Sequence, residues 1–207
     1  MTAGRAVQRR RAEAAVRSWL ADCGLDWEPG ARPGEYVVQL PGERKLRTTT
    51  SLLVGDHSLS VSAFVVRRPD ENVPRVHRWL LERNARLQGI AFALDALGDV
   101  YLVGRLPLEG VTEETLDGLL GSVLATADGA FNELLAMGFL TAMRKEWAWR
   151  VSRGEPTVNL EAFRHLLAPD DVPDDGRDDA SGDGRDDAPD DGTGPDGGRQ
   201  EGRGPRQ

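Results

Sequence analysis

Thiols, imidazoles and lysines are scarce in this chain, and each scarcity removes a class of chemistry. A single cysteine, Cys23, stands among 207 residues, so no intramolecular disulfide can close. The N-terminal segment carries charges where a secretory signal would need an apolar run, which together with the lone thiol points to a reducing cytoplasm. No two of the three histidines, His57, His77 and His165, stand at the i, i+4 spacing that brings metal ligands together on a helix. Cys23 has no CxxC companion and reads as a small packed side chain at a helix end. No Walker A loop, strand-borne GxGxxG or GxSxG elbow is present. No catalytic residue, cofactor or metal is therefore expected. Nor does any apolar stretch reach the roughly 18–20 residues of a membrane-spanning helix.

Only Lys45 and Lys145 are lysines among 26 basic residues, a bias toward arginine that carries little functional meaning by itself. The net charge of −8 is unevenly placed: residues 169–207 hold 13 acidic and 5 basic side chains, and the remainder is balanced at 21 of each. A balanced body argues against the strongly positive surface of a dedicated nucleic-acid binder. Ordering the backbone of the Asp/Gly/Pro-rich stretch would cost on the order of 40–80 kcal/mol. Beside its prolines that stretch offers only Val172, Ala180 and Ala188 for burial. The expectation is a folded domain over 1–168 followed by a disordered acidic tail over 169–207.

Within the domain, Val7, Ala14, Ala15, Val16, Trp19 and Leu20 repeat at helical spacing over residues 6–21, and Gly24 marks the stop. The Pro/Gly-rich WEPGARPGE reads as a loop leading to a strand over 36–40. Alternation then predicts a second strand with Leu46, Thr48, Thr50, Leu52 and Val54 on one face, and a third over 58–66 opposing Leu59, Val61, Ala63 and Val65 to serines. Asp70-Glu71-Asn72 before Pro74 reads as the start of a second helix rather than a metal cluster, with Val73, Val76, Leu80 and Leu87 as its apolar stripe. A hairpin over 90–103 turns at Leu97-Gly98-Asp99, and Thr112 caps a long helix running to about Val151, with Asp128-Gly129 as the place where it would bend. The order α-β-β-β-α-β-β-α predicts a two-layer α+β fold, a five-stranded antiparallel sheet with helices on one face.

Four segments in this order, FVVRRPDEN (64–72), RWLLERNARL (78–87), IAFALDALGDVYLVGRLPL (90–108) and EWAWRVSRG (146–154), resemble the YbjN-domain proteins, described as bacterial sensory-transduction regulators. The resemblance covers most of residues 5–167. It implies the fold of type III secretion chaperones and a chaperone-like or regulatory binding protein, commonly dimeric, with no assigned catalytic residue.

Trp79, Trp147, Trp149 and Arg150 are the candidate protein-binding residues, because tryptophan and arginine concentrate at binding hot spots. Trp147 and Trp149 sit about 200° apart on a helix, so at least one is expected at a dimer or partner surface. Asp95 and Asp99 flank a hairpin and read as turn formers rather than an acid–base pair. The preferred reading is a cytoplasmic homodimeric adaptor that holds a protein partner through a sheet edge or helix surface. Two alternatives stand beside it. A nucleic-acid-associated regulator would use Arg5, Arg9, Arg10, Arg11 and Arg17 of the first helix. A small-ligand sensor would need a deep apolar pocket between the long helix and the sheet.

Overall fold

Alternating side chains place apolar groups on one side of an extended chain and polar groups on the other, and the sheet is built on that alternation. In the computed structural model, which describes residues 2–167, six strands form one antiparallel sheet. They are β1 (Trp27–Pro29), β2 (Glu35–Pro41), β3 (Arg47–Val54), β4 (Ser58–Val66), β5 (Ile90–Leu94) and β6 (Val100–Pro107), in spatial order β1-β2-β3-β4-β6-β5. The tail expected over 169–207 lies outside the described residues.

Val38, Leu40, Leu52, Val54, Leu59, Val61 and Leu102 are buried on one face, with Ser60, Ser62 and Val37 only partly covered on the other. Onto the buried face pack α1 (Thr2–Asp22), α2 (Val73–Asn84) and α3 (Glu113–Gly138), whose Val16, Leu20, Val76, Leu80, Leu116 and Leu134 join the same core. The two-layer α+β arrangement with helices on one face is thus the observed one. Burying a large aliphatic side chain is worth about 1.5–3 kcal/mol, so this one face supplies most of the driving force.

Three expectations need correction. The sheet has six strands rather than five. Trp27–Pro29 pairs with Tyr36–Val38 inside the segment read as a loop, held by an edge-on Trp27–Tyr36 contact with centroids 6.0 Å apart. Leu46 does not share the buried face of β3: it lies in the β2–β3 turn and is exposed. The long helix is also two helices. α3 runs unbroken through Asp128-Gly129 and stops at Gly138, after which α4 (Leu140–Arg153) leaves at 84°.

The cause of that bend lies far away in sequence. Backbone N–H groups of Asp70 and Glu71 both donate to the Gly138 carbonyl (3.0 and 3.2 Å), and Asn72 Nδ2 donates to the Met137 carbonyl at 3.0 Å. These bonds occupy carbonyls that a helix C-terminus otherwise leaves orphaned. The Glu71 carboxylate in turn accepts from the Thr141 backbone N–H (2.7 Å) and hydroxyl (2.8 Å), capping α4 from outside, and these bonds hold its pKa below the usual carboxylate value. Asn72 takes a left-handed conformation, φ 53°, to make the turn. The segment read as a helix start therefore also clamps the α3–α4 elbow. Beyond α4, a 3-10 turn (Val158–Phe163) and the single-turn α5 (Arg164–Leu167) fold back, and Met143, Leu160, Phe163 and Leu167 form a second, smaller core.

No single helix among the described residues is long and apolar enough to cross a membrane; α3 and α4 approach that requirement only as a pair broken at the 84° bend.

Candidate functional site

The four sequence-derived binding candidates separate in space and in role. Trp79 on α2 is turned into the molecule: its Nε1 donates to Glu133 at 3.0 Å, its ring lies 6.0 Å from Phe92, and the Arg83 guanidinium covers it at 4.5 Å. Trp147 packs against the small second core. Trp149 is 43% exposed, with Arg153 stacked over it at 5.0 Å, and Arg150 bonds Glu146 (2.6 Å) and the Pro156 carbonyl (3.0 Å). The structure brings Trp147, Trp149 and Arg150 together on α4 and leaves Trp79 out.

Both sheet edges carry a feature that disfavours an incoming strand. On one side β1 is three residues long and ends in Pro29, which has no N–H to offer. On the other, the Asn84 side chain clasps β5: Phe92 N–H donates to Asn84 Oδ1 at 2.7 Å, and Asn84 Nδ2 donates to the Phe92 carbonyl at 3.1 Å. Phe92 is the central residue of β5, so this side chain occupies the edge groups that a partner strand would use.

A groove of about 550 Å³ lies at the α3–α4 elbow, which no motif announced. Val66 closes one side, Phe131 and Leu135 of α3 another, and Phe139, Met143 and Leu160 the third. One amine reaches into it. β3 and β4 stay paired only as far as Thr50–Ala63, and just beyond that point Lys45 Nζ donates to the Phe64 carbonyl and lies 5.0 Å from the Phe64 ring centroid. Burial pushes the Lys45 pKa down to about 8. The backbone N–H groups of Arg44 and Lys45 donate to Asp128 Oδ1 (2.8 and 2.9 Å), which fixes the turn that carries this lysine. Asp128, read in the sequence as a helix bend, is instead a cross-layer tether.

Other candidates resolve as structure. Asp95 Oδ1 accepts from Leu97 and Asp99 N–H, both at 2.9 Å, and Asp99 accepts from Arg68 N–H at 2.7 Å, so this pair builds a turn. Cys23 packs against the core, its Sγ 3.5 Å from the Leu20 carbonyl. Within α1, Arg9 pairs with Glu13 (3.1 Å) and Asp56 (3.2 Å), and Arg17 bonds the Tyr36 hydroxyl at 3.0 Å, so two of the five basic side chains are committed internally. Among the described residues no cluster of three or more His, Cys, Asp or Glu could hold a metal ion.

Solved structures similar to this chain include the ExsC–ExsE complex (18% identity, 59% of this chain and 92% of that one, TM-score 0.45). The type III secretion chaperone SycH of Yersinia pestis, in complex with a fragment of YscM2, is another (16%, 56% and 96%, 0.41). The chain belongs to the YbjN family: the family model, "Putative bacterial sensory transduction regulator", matches residues 13–136. YbjN of E. coli is similar at 20% identity over 60% of this chain and 91% of its own, TM-score 0.47. Protein Rv0487 of Mycobacterium tuberculosis is 52% identical over 138 residues, 67% of this chain and 75% of that protein. ML2442 of Mycobacterium leprae is 51% identical over 131 residues, 63% and 71% respectively.

Proposed function

We propose that the chain is a non-catalytic protein-binding module, a chaperone-like or regulatory adaptor that acts in the cytoplasm as a homodimer and needs no cofactor. One observation carries the reading: α4 swings out of the α3 axis and leaves Trp149, Val151 (57% exposed) and Val158 (79% exposed) uncovered on itself and the turn that follows. Such a group of apolar side chains on a projecting helix suits an apolar partner surface. Arg153 stacked over Trp149 restrains that ring before contact, which lowers the entropy lost on docking. With both sheet edges blunted, by Pro29 and by the Asn84 clasp, the helix surface rather than a strand edge is the docking element. The binding unit is residues 1–168, and the acidic stretch 169–207 follows it.

The test is the double variant W149A/V151S, with mass read by sedimentation equilibrium and fold by circular dichroism. The expected result is a wild-type dimer that becomes monomeric with unchanged helix content. A double variant that keeps the wild-type mass removes α4 as the interface.

A second reading, a small-ligand sensor, is favoured by the elbow groove, which lies between the helices and the end of β4 and falls within the ~300–1,000 Å³ typical of ligand sites. The nucleic-acid reading gains no such support, since Arg9 and Arg17 are turned to groups of the protein itself.

A further inference from the structure

We infer that the elbow groove binds a small amphipathic monoanion, an apolar body ending in a carboxylate that pairs with Lys45 Nζ. The inference rests on the small-ligand reading and specifies its ligand by charge.

Each of the other charges at the groove already has a partner. Arg67, stacked over Phe139 at 4.8 Å, bonds both oxygens of Asp70 at 2.8 and 2.7 Å. Glu146 pairs with Arg150 at 2.6 Å. Lys45 alone has no carboxylate within 4.0 Å among the described residues. An ammonium carries three donors, and the Phe64 carbonyl accepts only one of them. A half-buried, uncompensated cation at one end of an apolar groove is the pattern that a carboxylate with a hydrocarbon or aryl body completes, because it brings both the missing charge and the apolar surface.

Composition strengthens the point: lysine occurs twice among 26 basic residues, and this one occupies the apolar groove whereas Lys145 is exposed. The burial that depresses the Lys45 pKa still leaves it protonated at neutral pH. The chain's own 169–207 stretch is a poor occupant. It is rich in carboxylates, but apart from proline it offers only Val172, Ala180 and Ala188 as apolar side chains.

The experiment titrates the full chain by calorimetry with decanoate below its micellar concentration and, in parallel, with the neutral 1-decanol. Three proteins are compared: wild type, K45M, and A142W, whose indole would occupy the groove that Ala142 lines. The expected result is that wild type prefers decanoate over decanol. K45M should lose roughly tenfold to a hundredfold in decanoate affinity, the range of one charge-assisted bond, and keep decanol binding. A142W should bind neither. Equal binding of the two probes by wild type, or an undiminished preference in K45M, overturns the monoanion assignment while leaving an apolar ligand site in place. No binding of either probe by wild type, or full binding by A142W, overturns the groove as a ligand site altogether.

Discussion

One methyl group placed at Gly138 tests whether the α3–α4 elbow is as rigid as its contacts imply. A Cβ there would lie 2.9 Å from Pro69 Cβ, against the ~3.5–4.0 Å at which carbon atoms settle. Pro69 is buried and its ring cannot swing aside, so relief must come from moving the 70–72 segment. That movement loosens the bonds from Asp70 and Glu71 N–H to the Gly138 carbonyl. Overpacking costs roughly 1–3 kcal/mol, and a loosened hydrogen bond about 1 kcal/mol. Opposing this, glycine to alanine inside a helix gains up to about 1 kcal/mol, and less in the last turn. G138A should therefore be destabilised by about 1–3 kcal/mol. Gly121, in the same helix, is exposed and a Cβ there meets nothing within 4 Å, so G121A should be stabilised by about 0.5–1 kcal/mol. Urea unfolding followed by circular dichroism should move the two midpoints in opposite directions with unchanged slope. If G138A matches or exceeds the wild type, the 70–72 segment yields freely and the clamp has no mechanical meaning.

Two further outcomes follow from buried or tethered polar groups. Thr48 is fully buried and its hydroxyl finds no partner among the described residues, so T48V, which removes an unsatisfied polar atom at nearly equal volume, should raise stability by about 1 kcal/mol; a loss in thermal or urea unfolding would show that the hydroxyl is bonded after all. N84A forfeits two bonds to Phe92, about 1–2 kcal/mol, and frees the centre of β5 for strand pairing; sedimentation should show larger, concentration-dependent species, and a variant indistinguishable from wild type at every concentration would dismiss the clasp.

What could be read in the sequence was whatever depended on neighbours. The serine-valine alternation of β4 and the Thr112 cap, whose hydroxyl accepts from Thr115 N–H at 3.2 Å, stand where local pattern placed them. What escaped was long-range. β1 is too short to show alternation and exists because Trp27 meets Tyr36 and Asp26 accepts from Gln39 N–H at 2.9 Å. Gly138 is only one of four glycines in α3, and what makes the helix stop there sits some 70 residues earlier. Lys45, in a segment reading PGERKLR, has every local mark of an exposed turn; only Asp128, 83 residues on, turns it inward. Trp79 is a candidate by residue type alone, and its partners Glu133, at the indole N–H, and Arg83, over the ring, come from the folded structure. The α4 candidates kept together because they are near in sequence as well as in space.

The clasp and the clamp lie at opposite ends of one rod. α2 starts immediately after Asn72 and finishes with Asn84, 12 residues that at ~1.5 Å each span roughly 18 Å. One short helix thus joins the two side-chain amides that hold the elbow and the sheet rim, so a substitution that unwinds α2 should release both.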